Sequence, residues 1–357
     1  MKKALIAMSG GVDSSLAAKL MKDAGYDCVG CTMKLYDNDD IGLDNGHTCC
    51  SLDDVEDARR VAGDLGMEHY VFNFKDGFHE CVIKRFVDAY EAGRTPNPCI
   101  DCNRFMKFEK LFQRAEALGC ECIVTGHYVR IEFEDGEYKL KKALDDTKDQ
   151  SYVLYSLTQQ QLAHVQFPLG ALKKSEVRKL AQDSQFVNAE KPDSQDICFV
   201  PDGDYGAFLE RETGKVYETG NFVDTEGNVL GTHRGIVRYT IGQRKGLGVS
   251  ADKRLYVTAL NLEENTVTLG ENQDLFGTSF VAGDFNWISG KTPTQEFPCN
   301  VKIRYRQVEQ PAKVYPLSDG RVKVVFEKPQ RAITAGQAAV LYEGDTVLGG
   351  GTIEVVL

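Results

Sequence analysis

Apolar and polar positions follow two different rhythms along the chain, and the change falls near residue 200. Up to about residue 130, short apolar runs alternate with stretches where apolar residues recur every three or four positions. Residues 4–8 read as a buried parallel strand. A helix is predicted over 14–24 with Gly25 as its stop, then a strand over 28–33. Ser51-Leu-Asp-Asp54 has the form of a capping box. After it, Leu52, Val55, Ala58, Val61, Ala62 and Leu65 share one helical face up to Gly66. A third strand over 69–74, helices over 77–92 and 103–118, and a strand over 121–125 continue the alternation. This order predicts an α/β doubly wound parallel sheet. Ligands of such sheets gather beyond the carboxyl ends of the strands, where Ser9–Ser15, Met33 and Thr125-Gly-His-Tyr128 fall.

Past residue 200 the pattern shortens to strands and turns, at 235–241, 255–262, 266–269, 302–305, 312–315, 322–326, 338–342 and 352–356. The expected organisation is a catalytic domain over 1–201, a small central domain over 202–275 and a C-terminal β-barrel over 276–357. No internal repeat stands out. A length of 357 residues agrees with two or three domains. No run of eighteen apolar residues exists, and the opening apolar run is too short for a signal peptide, so a cytoplasmic protein without a membrane span is expected. The net charge of −11 excludes coating of nucleic acid by bulk charge, but not a local basic face. Eleven cysteines, an odd number, disfavour a structural disulfide framework.

The Ser9-Gly-Gly-Val-Asp-Ser-Ser15 stretch joins a strand to a helix. Gly10 and Gly11 let backbone approach an anion, and the first amides of the helix point at it. Ser9, Ser14 and Ser15 add hydroxyl donors. Asp13 is out of place beside an anion unless Mg²⁺ bridges it to phosphate. An ordinary glycine-rich turn is the plainer alternative.

This loop resembles the pyrophosphate loop of the N-type ATP pyrophosphatases, which cleave ATP between the α and β phosphates. Three more stretches narrow the resemblance: Gly93-Arg-Thr-Pro-Asn-Pro-Cys-Ile-Asp-Cys-Asn103, Lys191-Pro-Asp-Ser-Gln-Asp-Ile-Cys-Phe199 and Tyr239-Thr-Ile-Gly-Gln-Arg-Lys-Gly-Leu-Gly248. Together they resemble the bacterial tRNA-specific 2-thiouridylase family over the whole chain, as far as Ala335-Gly-Gln337. The resemblance implies that the C2 oxygen of a wobble uridine is adenylated and that sulfur then displaces AMP. It implies a persulfide on Cys198, with Cys102 as partner and a transient Cys102–Cys198 disulfide. It implies ATP contacts from Ala7, Met8, Ser9, Gly10, Gly11, Val12, Asp13, Ser14, Met33 and Gly126. It implies tRNA contacts from Asn97, Cys99, His127, Lys148, Asp149, Gln150, Arg304, Tyr305 and Gln337. A cysteine desulfurase or persulfide relay protein is the implied sulfur donor.

One departure stands out: Cys99 occupies the place of the family's usual Asp, near the target base. Cys99, Cys102 and Cys198 are three thiolates able to hold a [4Fe–4S] cluster with an open iron; a dithiol pair is the other reading. Asn103 is a plausible helix N-cap that would lower the pKa of Cys102. Cys28, Cys31, Cys81, Cys120, Cys122 and Cys299 read as small buried hydrophobes, and Cys49-Cys50 as accessory thiols. Lys302, Arg304 and Arg306 are expected on one strand face as a phosphate-binding stripe. Lys139, Lys141 and Lys142 form a basic stretch before Lys148. Gln243-Arg-Lys245 either orients the tRNA or is a charged turn, and the cluster Lys173, Lys174, Arg178, Lys179 reads as a solvated face. The alternatives to a thiolating enzyme are another ATP pyrophosphatase of the amidotransferase-type ligases and a non-catalytic iron–sulfur or thiol-based RNA-binding sensor.

Overall fold

The computed structural model describes residues 2–37, 52–192 and 197–357. Strands β1 (Lys3–Ala7), β2 (Asp27–Lys34), β3 (Glu68–Asn73) and β4 (Cys122–Val124) form a parallel sheet, with helix α1 (Val12–Asp23) between β1 and β2 and α2 (Leu52–Asp64) before β3. In β1 and β2 successive residues are buried on opposite faces. Leu5 joins a cluster with the helical stretch 75–91 and that over 98–117, while Ala4 and Ile6 join α1 and α2 on the other side. Burial on both faces is why the sequence reads as continuous apolar runs. Gly25 and Gly66 end α1 and α2 with φ of 81° and 61°, a conformation that carries no Cβ penalty only in glycine.

The chain then makes a hairpin of β5 (Val129–Glu134) and β6 (Glu137–Lys142). β7 (Val165–Gln166) adds the fifth strand of the parallel sheet, in the order β3-β2-β1-β4-β7. The central part holds a four-stranded sheet of β8 (Gly220–Val223), β9 (Val229–His233), β10 (Tyr256–Asn261) and β11 (Thr266–Gly270). Then β12 (Phe276–Trp287), β13 (Phe297–Lys302), β14 (Gln310–Pro316), β15 (Val322–Arg331), β16 (Ala338–Glu343) and β17 (Thr346–Val356) form a six-stranded barrel, closed by pairing of β12 with β17. Inside lie Phe280, Val301, Val314, Val324, Leu341 and Ile353.

The hairpin departs from the expected separation of sheet and barrel. β6 pairs with β17 at Lys141 and Thr346, so the hairpin extends the barrel's sheet. The outward residues of β16, Ala338, Val340 and Tyr342, share a core with the parallel sheet. Tyr152 is fully buried there and donates its hydroxyl to the Ala338 carbonyl at 2.8 Å. Two predicted strands fail. Residues 235–241 hold only a 3₁₀ turn at Ile236–Arg238, entered through Gly235 at φ 103°. The strand expected over 302–305 ends at Lys302, and Arg304–Gln307 closes a turn. Lys302, Arg304 and Arg306 therefore share no strand face. Among the described residues, no helix is long and apolar enough to cross a membrane.

Candidate active site

The Ser9–Ser15 loop leaves β1 and turns into α1. Gly11 is the N-cap, in extended conformation, and no side chain caps the helix. The first amides of α1 thus face outward from a helix end carrying partial positive charge. Two of the expected hydroxyl donors point elsewhere. Ser14 and Ser15 both donate to the Gly11 carbonyl, at 3.0 and 3.1 Å, and Ser14 Oγ accepts the Ser9 amide at 3.1 Å. Their work is to hold the loop's shape.

The loop is clamped from below. Gly10, at φ 74°, lies so close to α2 that a Cβ would stand 2.3 Å from the Asp54 carbonyl oxygen. Buried Asn188 donates to the Gly10 carbonyl (2.8 Å) and to Ser15 Oγ (2.9 Å). Lys191 Nζ bridges Asp54 (2.5 Å) and Asp57 (2.8 Å). Burial disfavours that ammonium, but the two carboxylates outweigh it and its pKa is raised.

Asp13 has a different partner from the one expected. Lys174 Nζ sits 2.7 Å from both of its carboxylate oxygens, and the Tyr128 hydroxyl donates to it at 2.7 Å. Lys174 is 8% exposed, so it is no part of a solvated face. Among the described residues, no group of three or more His, Cys, Asp or Glu side chains can hold a metal ion. The cation beside Asp13 in this arrangement is the Lys174 ammonium. Gly126 touches the same corner, where a Cβ would lie 2.9 Å from Asp13 C and Ser14 N. Its missing side chain thus lets the Thr125–Tyr128 turn press on the loop. Met8 is buried just past β1, its amide bonded to the Cys31 carbonyl at 2.8 Å, and Met33 is half-buried near the end of β2. Ala7 ends β1.

From Thr125 a polar chain runs to the cysteine helix. Thr125 Oγ1 lies 2.6 Å from His127 Nδ1, and Lys107 Nζ is 3.5 Å from Nε2. Lys107 donates to Asn103 Oδ1 (2.9 Å), and Asn103 Nδ2 donates to the Val153 carbonyl (3.1 Å). Burial, helped by Lys107, holds the His127 pKa well below its ordinary value, so the ring is neutral. Asn103 is a core polar residue, not a helix cap. The cap is Asn97, whose Oδ1 accepts the Cys99 amide at 3.2 Å, with Pro98 at the first helical position. The helix therefore starts one turn before Cys102, and the cysteine in its first turn is Cys99. A π-helical stretch begins at Cys102 and runs to Lys110.

Cys102 and Cys198 are both half-buried and pack against one apolar cluster. Phe199 stacks edge-on with Phe78 and Phe86 of the 75–91 helix, and Asp101 meets Arg85 of that helix at 3.3 Å. The flanks of both cysteines thus rest on the same element. The Cys198 carbonyl accepts the Tyr36 hydroxyl at 2.9 Å. Cys99 is exposed. The cysteines at 99, 102 and 198 are not gathered as a three-ligand metal group, so the arrangement does not fit the expected [4Fe–4S] cradle. Cys28, Cys31, Cys120 and Cys122 are buried, and burial raises each pKa, that of Cys122 to about 11. Cys81 and Cys299 are half-buried. Cys49 and Cys50 lie outside the described residues.

The expected tRNA contacts lie at the junction with the barrel, and several hold it together. Gln150 Oε1 accepts the Tyr128 amide (2.9 Å), and Asp149 accepts from the Ala143 and Ser151 amides and the Ser151 hydroxyl. Lys148 sits in the preceding turn, its amide bonded to the Asp145 carbonyl. Arg304 Nη2 donates to the carbonyls of Ile241 (3.3 Å) and Ala332 (3.0 Å) and to Thr334 Oγ1 (2.7 Å). Gln337 donates to the Thr95 carbonyl at 2.8 Å, fixing the strap that leads to Asn97. Lys139, Lys141 and Lys142 are ion-paired to Glu137, Glu132 with Glu134, and Glu309. Gln243 folds back on Thr240 N and Lys245 O. Tyr305 is 38% exposed beside Cys99. A cavity of about 820 Å³ opens between the three parts of the chain, lined among others by Asn97, Tyr205, Arg238, Gln243, Arg304 and Gln337.

Sequence reasoning gave Lys174, Tyr128, Asn188 and Lys191 no role as partners that hold this loop and its carboxylate. Lys174 and Asp13 are 161 positions apart, and no local spacing signals such a pair.

A family model described as the tRNA methyl transferase HUP domain matches residues 2–202. A PRC-barrel domain of the same description matches 206–271, and an aminomethyltransferase beta-barrel domain matches 277–353. The chain is 49% identical over 353 residues to the tRNA-specific 2-thiouridylase MnmA of Clostridium acetobutylicum, covering 99% of each. It is 50% identical over 357 residues to the tRNA-specific 2-thiouridylase MnmA 1 of Thermoanaerobacter pseudethanolicus, covering 99% of this chain and 98% of that one. A solved 4-thiouridine synthetase–RNA complex with bound ATP is 20% identical, with a TM-score of 0.38 over 56% of this chain and 45% of that one.

Proposed function

Because the chain belongs to the tRNA-specific 2-thiouridylase family, we propose that it uses ATP to replace the C2 oxygen of a tRNA wobble uridine with sulfur. The observation that carries this reading is the layout of two half-sites at one end of the sheet. The anion-facing loop and the Asp13–Lys174 pair lie on one side, and Cys102 and Cys198 on the other, joined by the Thr125–His127–Lys107–Asn103 chain.

A pyrimidine C2 carbonyl is a poor electrophile. Its oxygen attacks the α-phosphorus of ATP, and pyrophosphate leaves towards the outward amides of α1. The terminal sulfur of a Cys198 persulfide then attacks C2. The Cys102 thiolate attacks the Cys198 sulfur, so the S–S bond of the persulfide breaks and a Cys102–Cys198 disulfide forms. AMP leaves with the former C2 oxygen, and the sulfur remains on C2. A wobble base lies in a single-stranded loop, so its extrusion costs little unpairing energy. A persulfide-bearing donor protein reloads Cys198.

The test is incubation with ATP, Mg²⁺, unmodified tRNA and a cysteine desulfurase, reading AMP and thiolated uridine by nucleoside mass spectrometry. Cys102→Ser and Cys198→Ser should each abolish thiolation. Normal thiolation by either variant refutes the cysteine roles, and amination with no need for either cysteine would point to a ligase.

A further inference from the structure

We infer that Cys99 is the exchange thiol that returns Cys102 and Cys198 to their reduced forms after each sulfur transfer, passing the disulfide to the protein surface. The inference rests on the thiolation reading above. Its first support is geometry. Cys99 and Cys102 stand three positions apart on one helix, and such residues share a face. The turn between them is tightened. The Cys102 amide donates to both the Cys99 and the Pro98 carbonyls, a mixture of 3₁₀ and α bonding. In a 3₁₀ turn, residues three apart eclipse one another, which sets both side chains on one line along the helix. The Asn97 cap and Pro98 fix the start of that turn, and the backbone changes to π-helical pairing at Cys102 itself.

The second support is the burial gradient. Cys198 and Cys102 are half-buried in the apolar cluster, whereas Cys99 is exposed. A disulfide between the two half-buried cysteines is shielded from a bulky reductant, and one that includes Cys99 is open to it. Thiol–disulfide exchange requires access to the sulfur attacked.

The step balances without an outside oxidant. The Cys99 thiolate attacks Cys102 Sγ. A Cys99–Cys102 bond forms, the Cys102–Cys198 bond breaks, and Cys198 departs as a thiolate ready for the next persulfide. The number of disulfides is unchanged. A dithiol reductant then attacks Cys99 Sγ. Two exchanges leave Cys99 and Cys102 as thiols and the reductant as its own disulfide.

The experiment uses the full chain with tRNA, ATP, a persulfide donor and limiting dithiol, quenched with an alkylating agent and digested with trypsin. Cys99 and Cys102 lie on one peptide, residues 95–104. In the unsubstituted protein a fraction of this peptide should escape alkylation and be lighter by two hydrogens. In Cys99→Ser the same peptide should instead be joined to the one bearing Cys198. Its multiple-turnover rate at limiting dithiol should fall at least tenfold further than its single-turnover rate, and excess dithiol should close that gap. The relay is overturned if Cys99→Ser keeps the ordinary ratio of the two rates at limiting dithiol, or if the 95–104 peptide never carries an internal disulfide. Thiolation by Cys102→Ser or Cys198→Ser would overturn the thiolation reading and the relay together. Inactive Cys102→Ser and Cys198→Ser beside a Cys99→Ser of ordinary behaviour would overturn the relay alone.

Discussion

Replacing Lys174 by Met tests whether its ammonium, rather than a metal ion, compensates Asp13. Nζ stands 2.7 Å from both carboxylate oxygens, and the Lys174 side chain is only 10% exposed. Removing one partner of a fully buried pair costs about 3–5 kcal/mol, because the other charge is left uncompensated. Asp13 keeps 30% of its side chain in water, and the Tyr128 hydroxyl still donates to it, so about 1–3 kcal/mol is the expected loss. Asp13→Asn should cost a similar amount, since it leaves Lys174 charged. The double variant removes both charges and should recover part of the loss, giving a coupling of about 1–2 kcal/mol in urea denaturation. Binding should follow the same pattern. Lys174→Met makes the corner beside the loop more negative by one charge, so ATP affinity should drop at least tenfold, about 1.4 kcal/mol, by titration calorimetry. The double variant restores the net charge of the pair and should recover most of that loss. Additive stability effects within about 0.5 kcal/mol, or unchanged ATP affinity in Lys174→Met, would refute the reasoning.

Two further outcomes follow from the same corner. Gly126→Ala places a Cβ 2.9 Å from the backbone of Asp13 and Ser14; neither backbone can yield, so stability should fall by about 1–3 kcal/mol and AMP formation with it, and a variant of ordinary denaturation midpoint would contradict the packing. His127 titrates near pH 6.5 when unfolded, and burial depresses its pKa in the fold, so the unfolded chain binds more protons below that pH. Stability from this residue is full above about pH 6.5 and declines as pH falls towards the folded pKa, by up to about 1.4 kcal/mol per pH unit. His127→Gln should flatten that slope in denaturation curves between pH 7 and 5, and an unchanged slope would assign it to other groups.

The parts legible in the sequence are those whose signal is local. The apolar runs of β1 and β2, the helical face of α2 and the glycine stops of Gly25 and Gly66 all follow from short-range periodicity. The β5–β6 hairpin is written in the alternation of Val129, Ile131 and Phe133 with Arg130, Glu132 and Glu134 and in its Asp135-Gly136 turn, but its charged face, cross-linked by ion pairs, reads as a basic stretch when taken alone. Residues 235–241 look like a strand by composition, yet a turn that Gly235 permits sends Tyr239 into the small central core and Val237 into the larger core shared with the parallel sheet. Asn103 has the residue type of a cap, but Asn97-Pro98 carries the stronger signal, a capping side chain followed by proline. The surroundings of the basic residues are not legible locally, for a common reason. Whether Lys174, Lys141 or Arg304 meets solvent depends on partners far along the chain.

The pairing of β6 with β17 bears on how the chain is made on the ribosome. Lys141 and Tyr152 emerge about 200 residues before Thr346 and Ala338, their partners in the barrel. At about 5–20 residues per second, roughly 10–40 s separate the two ends. During that interval the hairpin presents an unpaired edge, and Tyr152 and Leu154 have no finished core to enter. The nascent amino-terminal half is thus a natural client for a chaperone that shields strand edges, and its last hydrogen bonds wait for the final strand to be synthesised.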